Sequence, residues 1–115
     1  IFIKSKKVIK SLFNDGEFKL EYPFFYRFLK IDSSIDFRFV VNVKKKHFPK
    51  AVDRNKIKRL IRDSIRQSIA ELKNKVSENT KAYHIAIIYN SNNIYDNDYI
   101  KDKINLILLR LIGHE

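Results

Sequence analysis

The sequence predicts an α+β fold, a two-layer sandwich of helices on a sheet, in the order helix, strands, helix, strand, helix. Three observations predict it. Residues 37–44 largely alternate apolar and polar side chains, residues 51–76 place apolar side chains on one face at helical spacing, and residues 83–89 (YHIAIIY) form a β-branched, aromatic run. The 115 residues suit a single domain, 1–115, with a modest core and no internal repeat or interdomain linker.

Taken in order, Val8, Ile9, Leu12 and Phe13 recur at helical spacing and Asn14-Asp15-Gly16 is a stop signal, so a short helix is expected at about 5–14. Gly16 suits a left-handed cap there. Glu17–Leu20 is a candidate short edge strand. Tyr22–Ile31 is aromatic with Pro23 at its entrance and reads as a strand. Asp32-Ser33-Ser34 reads as a turn joining it in a hairpin to the strand at 37–44.

Pro49 disfavours helix at Phe48, so the next helix is expected to start near Ala51. Ile57, Leu60, Ile61, Ile65, Leu72 and Val76 share one face and carry it to about 76. The strand at 83–89 is expected to be central, because its alternate face still carries Ala86 and Ile88. Ile100, Ile104, Ile107, Leu108 and Leu111 mark a last helix, capped by Asp96 or Asp98 and followed by Gly113. Phe28, Phe37 and Phe39 read as core.

Composition excludes several classes. Hydrophobic content of 44% is too high for a disordered chain. No run approaches the roughly 18 apolar residues of a membrane span, so a soluble protein without a membrane partner is expected. No signal-peptide pattern is present, and the missing Met suggests trimming of the first residues. The absence of Cys removes disulfides and thiolate metal sites and fits the cytoplasm.

Charge points to a partner. The 24 Lys and Arg against 13 Asp and Glu give +11, and residues 44–66 contribute +8 of it. A polyanion is the leading partner, held by phosphate contacts and counterion release. Arg54, Lys58, Arg62 and Arg66 follow at four-residue steps, with Asn55 and Arg59 alongside. Like charges at that spacing repel by a few tenths of a kcal/mol, approximately, which an ordinary solvated face avoids by interspersing Glu. Guanidinium forks, the helix N-terminus and Lys44–Lys46 at the preceding strand end together suggest a basic patch for a folded nucleic acid. A helix-turn-helix reader fits poorly, since its recognition helix follows another helix across a tight turn.

Val43-Lys44-Lys45-Lys46 followed by AVDRNKIKRLIRDSIR resembles the signature of the protein subunit of bacterial ribonuclease P. Ala51, Val52, Arg54, Asn55, Ile57, Lys58, Arg59 and Arg62 match in register, as do Phe13 and Gly16 in the first helix. The resemblance implies a ribosomal-protein-like fold with a left-handed βαβ crossover, against the usual hand. It implies no catalytic residue in the protein. The chemistry belongs to an RNA subunit that uses bound Mg2+ to remove the 5′ leader of precursor tRNA, with one protein per RNA.

By position, Arg54, Asn55, Lys56, Lys58, Arg59 and Arg62 would bind that RNA, supported by Lys45, Lys46 and the neighbouring Arg66. Phe13, Arg27, Val40 and Asn42 would line a cleft for the leader. Leader sequences vary, so phosphate contacts and base stacking suit the task better than a base-edge code. Three departures stand out. Lys56 replaces an arginine, Lys46–Lys50 is one residue longer than the common spacing, and Ile9 and Arg27 replace cleft aromatics.

Two other functions are open to the sequence: a non-enzymatic RNA-binding module of ribosomal type, and an independent nuclease. The second is disfavoured, because His47, His84 and His114 lack ligand spacing or a paired carboxylate.

Overall fold

The structure, a computed structural model, describes residues 1–31, 37–72 and 82–113. Helix α1 spans Lys6–Asp15, strand β1 Glu17–Glu21, β2 Phe24–Ile31 and β3 Arg38–Val43. Helix α2 spans Ala51–Leu72, β4 Ala82–Tyr89 and α3 Asn97–Ile112. The expected turn at Asp32-Ser33-Ser34 and the helical extension to Val76 lie outside the described residues.

Local chemistry accounts for the boundaries. Ser5 caps α1 by accepting from the Val8 N–H, and Asp96 caps α3 by accepting from the Tyr99 N–H at 2.9 Å. Asp96, not Asp98, is therefore the cap. Gly16 corrects an expectation: its φ of −70° and ψ of 146° are extended, not left-handed. Glycine is needed there for close approach. A Cβ would collide with the Leu12 carbonyl and sit 3.2 Å from the Phe28 carbonyl, where α1 turns directly into β1.

The sheet order is β1-β2-β4-β3, with β3 parallel to β4 and the other pairs antiparallel. This corrects the expected hairpin between β2 and β3, because β4 lies between them. The reason is burial on both faces. Ile85, Ile87 and Tyr89 point to one side and Ala86 and Ile88 to the other, all at most 1% exposed, and only an interior position covers both. The hairpin is instead β1–β2, turned at Tyr22-Pro23 so that Glu21 pairs with Phe24.

Helices α2 and α3 cover one face, packing Ile57, Ile61, Ile65, Ile100, Ile104 and Ile107 against Phe24, Phe28, Phe39 and Ile87. These two helices and the sheet make the expected two-layer sandwich, and α1 is an addition on the other side. Ser64 and Ser68 are also buried on α2, within its apolar arc. Helix α1 covers part of the opposite face, where Leu12 is fully buried with Ala86 and Ile88. Among the described residues no helix is long and apolar enough to cross a membrane.

Truncating the central strand with Ile87→Ala should lower the unfolding free energy by about 2–5 kcal/mol in urea titrations, the range for buried Ile deletions. His84, on the α1 side of β4, has its pKa lowered by burial and then by the Arg38 charge. The unfolded chain therefore binds more protons than the folded chain below the ordinary value of about 6.5. Stability from His84 is complete above that pH and declines as pH falls toward the folded value. The loss between pH 7.5 and 5.5 should be smaller in His84→Gln than in the unmodified chain.

Candidate nucleic-acid interface

The basic side chains of α2 do not form one uniform stripe. Four residues exceed a helical turn by about 40°, so a four-residue ladder winds around the axis. Arg54 begins near the core side and is half-buried, donating through one guanidinium nitrogen to the Phe48 and Pro49 carbonyls at 2.9 and 2.7 Å. Lys58 is half-buried, while Arg62 and Arg66 are exposed. Asn55, Lys56 and Arg59 are exposed beside them, and Lys45 and Lys46 are exposed in the turn before the helix.

Few acids neutralise this surface. Asp63 pairs with Arg66 at 3.0 Å, with both side chains more than half exposed, a contact worth little in water. The other ion pairs among the described residues lie around α3: Lys101 with Glu71, and Lys103 and Arg110 with Glu21. Arg62 has no ion-pair partner among the described residues. The field of residues 44–66 is thus largely uncompensated.

The second surface is the part of the sheet beside α1. Strand register places Phe18, Arg27, Ala86 and Val40 in one row across it, and Leu20, Phe25, Ile88 and Asn42 in the next. The expected cleft residues Arg27, Val40 and Asn42 are thereby brought together, with Phe13 half-buried against the same cluster. Three neighbours were missed from sequence: Phe18, 46% exposed, Leu20, 68% exposed, and half-buried Phe25. Placing the turn at Tyr22-Pro23 would have revealed them, because the hairpin register follows from it.

This surface combines rings and cations. Phe18 and Phe25 stand 5.4 Å apart, the Arg27 guanidinium lies 5.3 Å from the Phe18 ring centre, and Lys44 Nζ lies 4.6 Å from that of Phe25. Arg27 also donates to the Gly16 carbonyl at 3.4 Å. Lys44 is the junction, since it follows β3, opens the basic turn and reaches over a ring of the second surface. The basic turn is itself fastened, with His47 hydrogen-bonded to the side-chain amides of both Asn90 and Asn92. His47 therefore has a structural role that its lone position in sequence did not disclose.

The ribonuclease P family model matches residues 2–111. The chain belongs to the ribonuclease P protein family. Its fold is similar to that of the Staphylococcus aureus RNase P protein, with a TM-score of 0.69 at 19% identity, covering 96% of each chain. The RNase P protein of Thermotoga maritima also superposes with a TM-score of 0.69, at 22% identity, over 100% of this chain and 97% of that one. No curated protein matches. Membership implies an RNA partner and association with an endoribonuclease that processes tRNA.

Against the ribonuclease P pattern, Lys56 is exposed on α2, so an ammonium in place of the planar guanidinium fork leaves packing untouched. Arg27 stacks on Phe18 from the adjacent strand, and Ile9 remains half-buried on α1. Arg54 stands apart from the rest of the motif, because its guanidinium fastens the turn. Arg54→Ala should cost about 1–2 kcal/mol in unfolding titrations through two charge-assisted hydrogen bonds. Arg59→Ala, on the exposed face, should stay within about 0.5 kcal/mol of the unmodified chain.

Proposed function

We propose that this chain is the protein subunit of ribonuclease P and assists Mg2+-dependent endonucleolytic removal of the 5′ leader from precursor tRNA. In this reading the exposed face of α2 and the turn before it bind the catalytic RNA. Asn55, Lys56, Lys58, Arg59, Arg62 and Arg66 contact it, with Lys45 and Lys46 beside them and Arg54 holding the turn. The leader lies against the α1 side of the sheet, on Phe13, Arg27, Val40 and Asn42. The reading is supported most by the continuity of the two surfaces through Lys44, whose ammonium reaches the Phe25 ring from the basic turn.

The chemistry of each surface suits its role. Exposed guanidinium edges and ammonium groups bind phosphates with little dependence on sequence. The Phe18–Phe25 pair with Arg27 offers faces on which any base can stack, supplying on β1 and β2 the aromatic area that Ile9 and Arg27 remove from the family pattern. Among the described residues no group of three or more His, Asp or Glu gathers to hold a metal ion. In this reading, which follows the family resemblance, Mg2+ is held mainly by the RNA, where it would supply the activated water and charge stabilisation of phosphodiester hydrolysis. The protein contributes affinity and placement, as one copy per RNA in the cytoplasm.

Reconstitution tests this directly. Adding the chain to a bacterial ribonuclease P RNA at low Mg2+ should stimulate cleavage of precursor tRNA at its mature 5′ end. Unstimulated cleavage despite tight RNA binding would favour the ribosomal-type module, and cleavage without RNA would favour a protein nuclease. Arg59→Ala combined with Arg62→Ala should weaken RNA binding at every sequence tested. It should also reduce the slope of log affinity against log salt by about 1–2, close to one per lost phosphate contact.

A further inference from the structure

Arg62 and Arg66 rest on a ring outside every motif described so far. Residues Ile1–Ile3 run parallel to β3 along its outer edge. The Ile3 N–H donates to the Phe39 carbonyl at 2.8 Å, and the Phe39 N–H donates to the Ile1 carbonyl at 2.9 Å. Bridge partners share a face of the sheet, so Phe2 lies with Phe39 on the α2 side, packed at the margin of the core. The Arg62 and Arg66 guanidinium carbons lie 5.7 and 5.1 Å from the Phe2 ring centre.

A guanidinium can use its face and its edge at once. The face meets the negative face of an aromatic ring, while the N–H donors lie in the guanidinium plane and remain free for phosphate. An acidic partner consumes such donors, as Asp63 does at one Arg66 nitrogen, whereas a phenyl ring leaves them in place. The shared ring also offsets the repulsion between two like charges four residues apart. Side chains that carry much rotamer freedom are thereby partly ordered before RNA arrives, which reduces the entropy lost on binding.

We propose that Phe2 is a positioning residue for RNA binding, holding the Arg62 and Arg66 guanidiniums edge-outward on the face of α2. This rests on the reading that α2 binds ribonuclease P RNA. The tail strand Ile1–Ile3 is the device that places the ring, since its two backbone hydrogen bonds fix Phe2 relative to β3 and hence to α2.

The test is binding of a bacterial ribonuclease P RNA transcript over a range of KCl, with thermal unfolding followed for each variant. Phe2→Ala should weaken binding roughly three- to tenfold, on the scale of two exposed cation–π contacts. In an Arg62→Ala/Arg66→Ala background the same change should have no further effect, because Phe2 acts through those two side chains. Phe2→Tyr should bind as the unmodified chain does, whereas Phe2→Leu, which keeps the strand and apolar bulk without the ring, should lose as much as Phe2→Ala. Equal losses in both backgrounds, or full affinity in Phe2→Leu or Phe2→Ala, would overturn the proposal. Failure of the unmodified chain to bind the transcript would remove the parent reading, and this one with it.

Discussion

Burial of β4 on both faces is the constraint from which the remaining geometry follows. A strand carrying Ile85, Ile87 and Tyr89 on one side and Ala86 and Ile88 on the other must be covered twice. Helices α2 and α3 supply one cover and α1 the other. Because β4 is parallel to β3, the chain must cross the sheet between them, and α2 is that crossing. The helix that carries six of the chain's 24 Lys and Arg is thus fixed in place by a strand that carries none.

This arrangement divides labour by face. The apolar arc of α2 is committed to the core, so its cations are displaced to the flank and outer side, where water or phosphate can reach them. The side of the sheet beside α1 is only partly covered, leaving Phe18, Leu20 and Phe25 accessible beside Arg27. Apart from the exposed Asp63–Arg66 contact, the acidic side chains that pair do so around α3 and β1, away from the ladder, which stays largely uncompensated. A steering field and an adhesive surface for polyanions follow from that separation.

Much of this was legible in the chain itself, and the residues that were not share a physical reason. Ile57, Ile61, Ile65 and Leu72 disclose the buried face of α2 because helical period is a local property. Ser64 and Ser68 occupy the same phase but carry no apolar signal. Alternation along Phe39, Val41 and Val43 identifies an inward face without naming the neighbouring strand, so the order β1-β2-β4-β3 needed the two-sided burial of β4 to be followed through. The family signature marked the motif residues of α2 by position. It could not separate Arg54 from the others, because the Phe48 and Pro49 carbonyls that hold it are backbone groups with no sequence mark. Phe2 has no periodic companion, and its importance exists only across the bridge to Phe39.

The late place of β4 in the chain has a consequence for how the molecule comes into being. A polypeptide emerging from the ribosome has completed the ten cations of residues 44–66 before Ala82–Tyr89 has been made. Until that strand arrives, β2 and β3 lack the partner that joins them, and the apolar face of α2 has only part of a sheet to cover. Non-local pairing of this kind is slow relative to local helix formation. The nascent chain therefore presents concentrated positive charge while its core is still unfinished, in a compartment crowded with RNA. Early capture by a polyanion would relieve the self-repulsion of that segment and leave its arginines already engaged when the last strand closes the sheet.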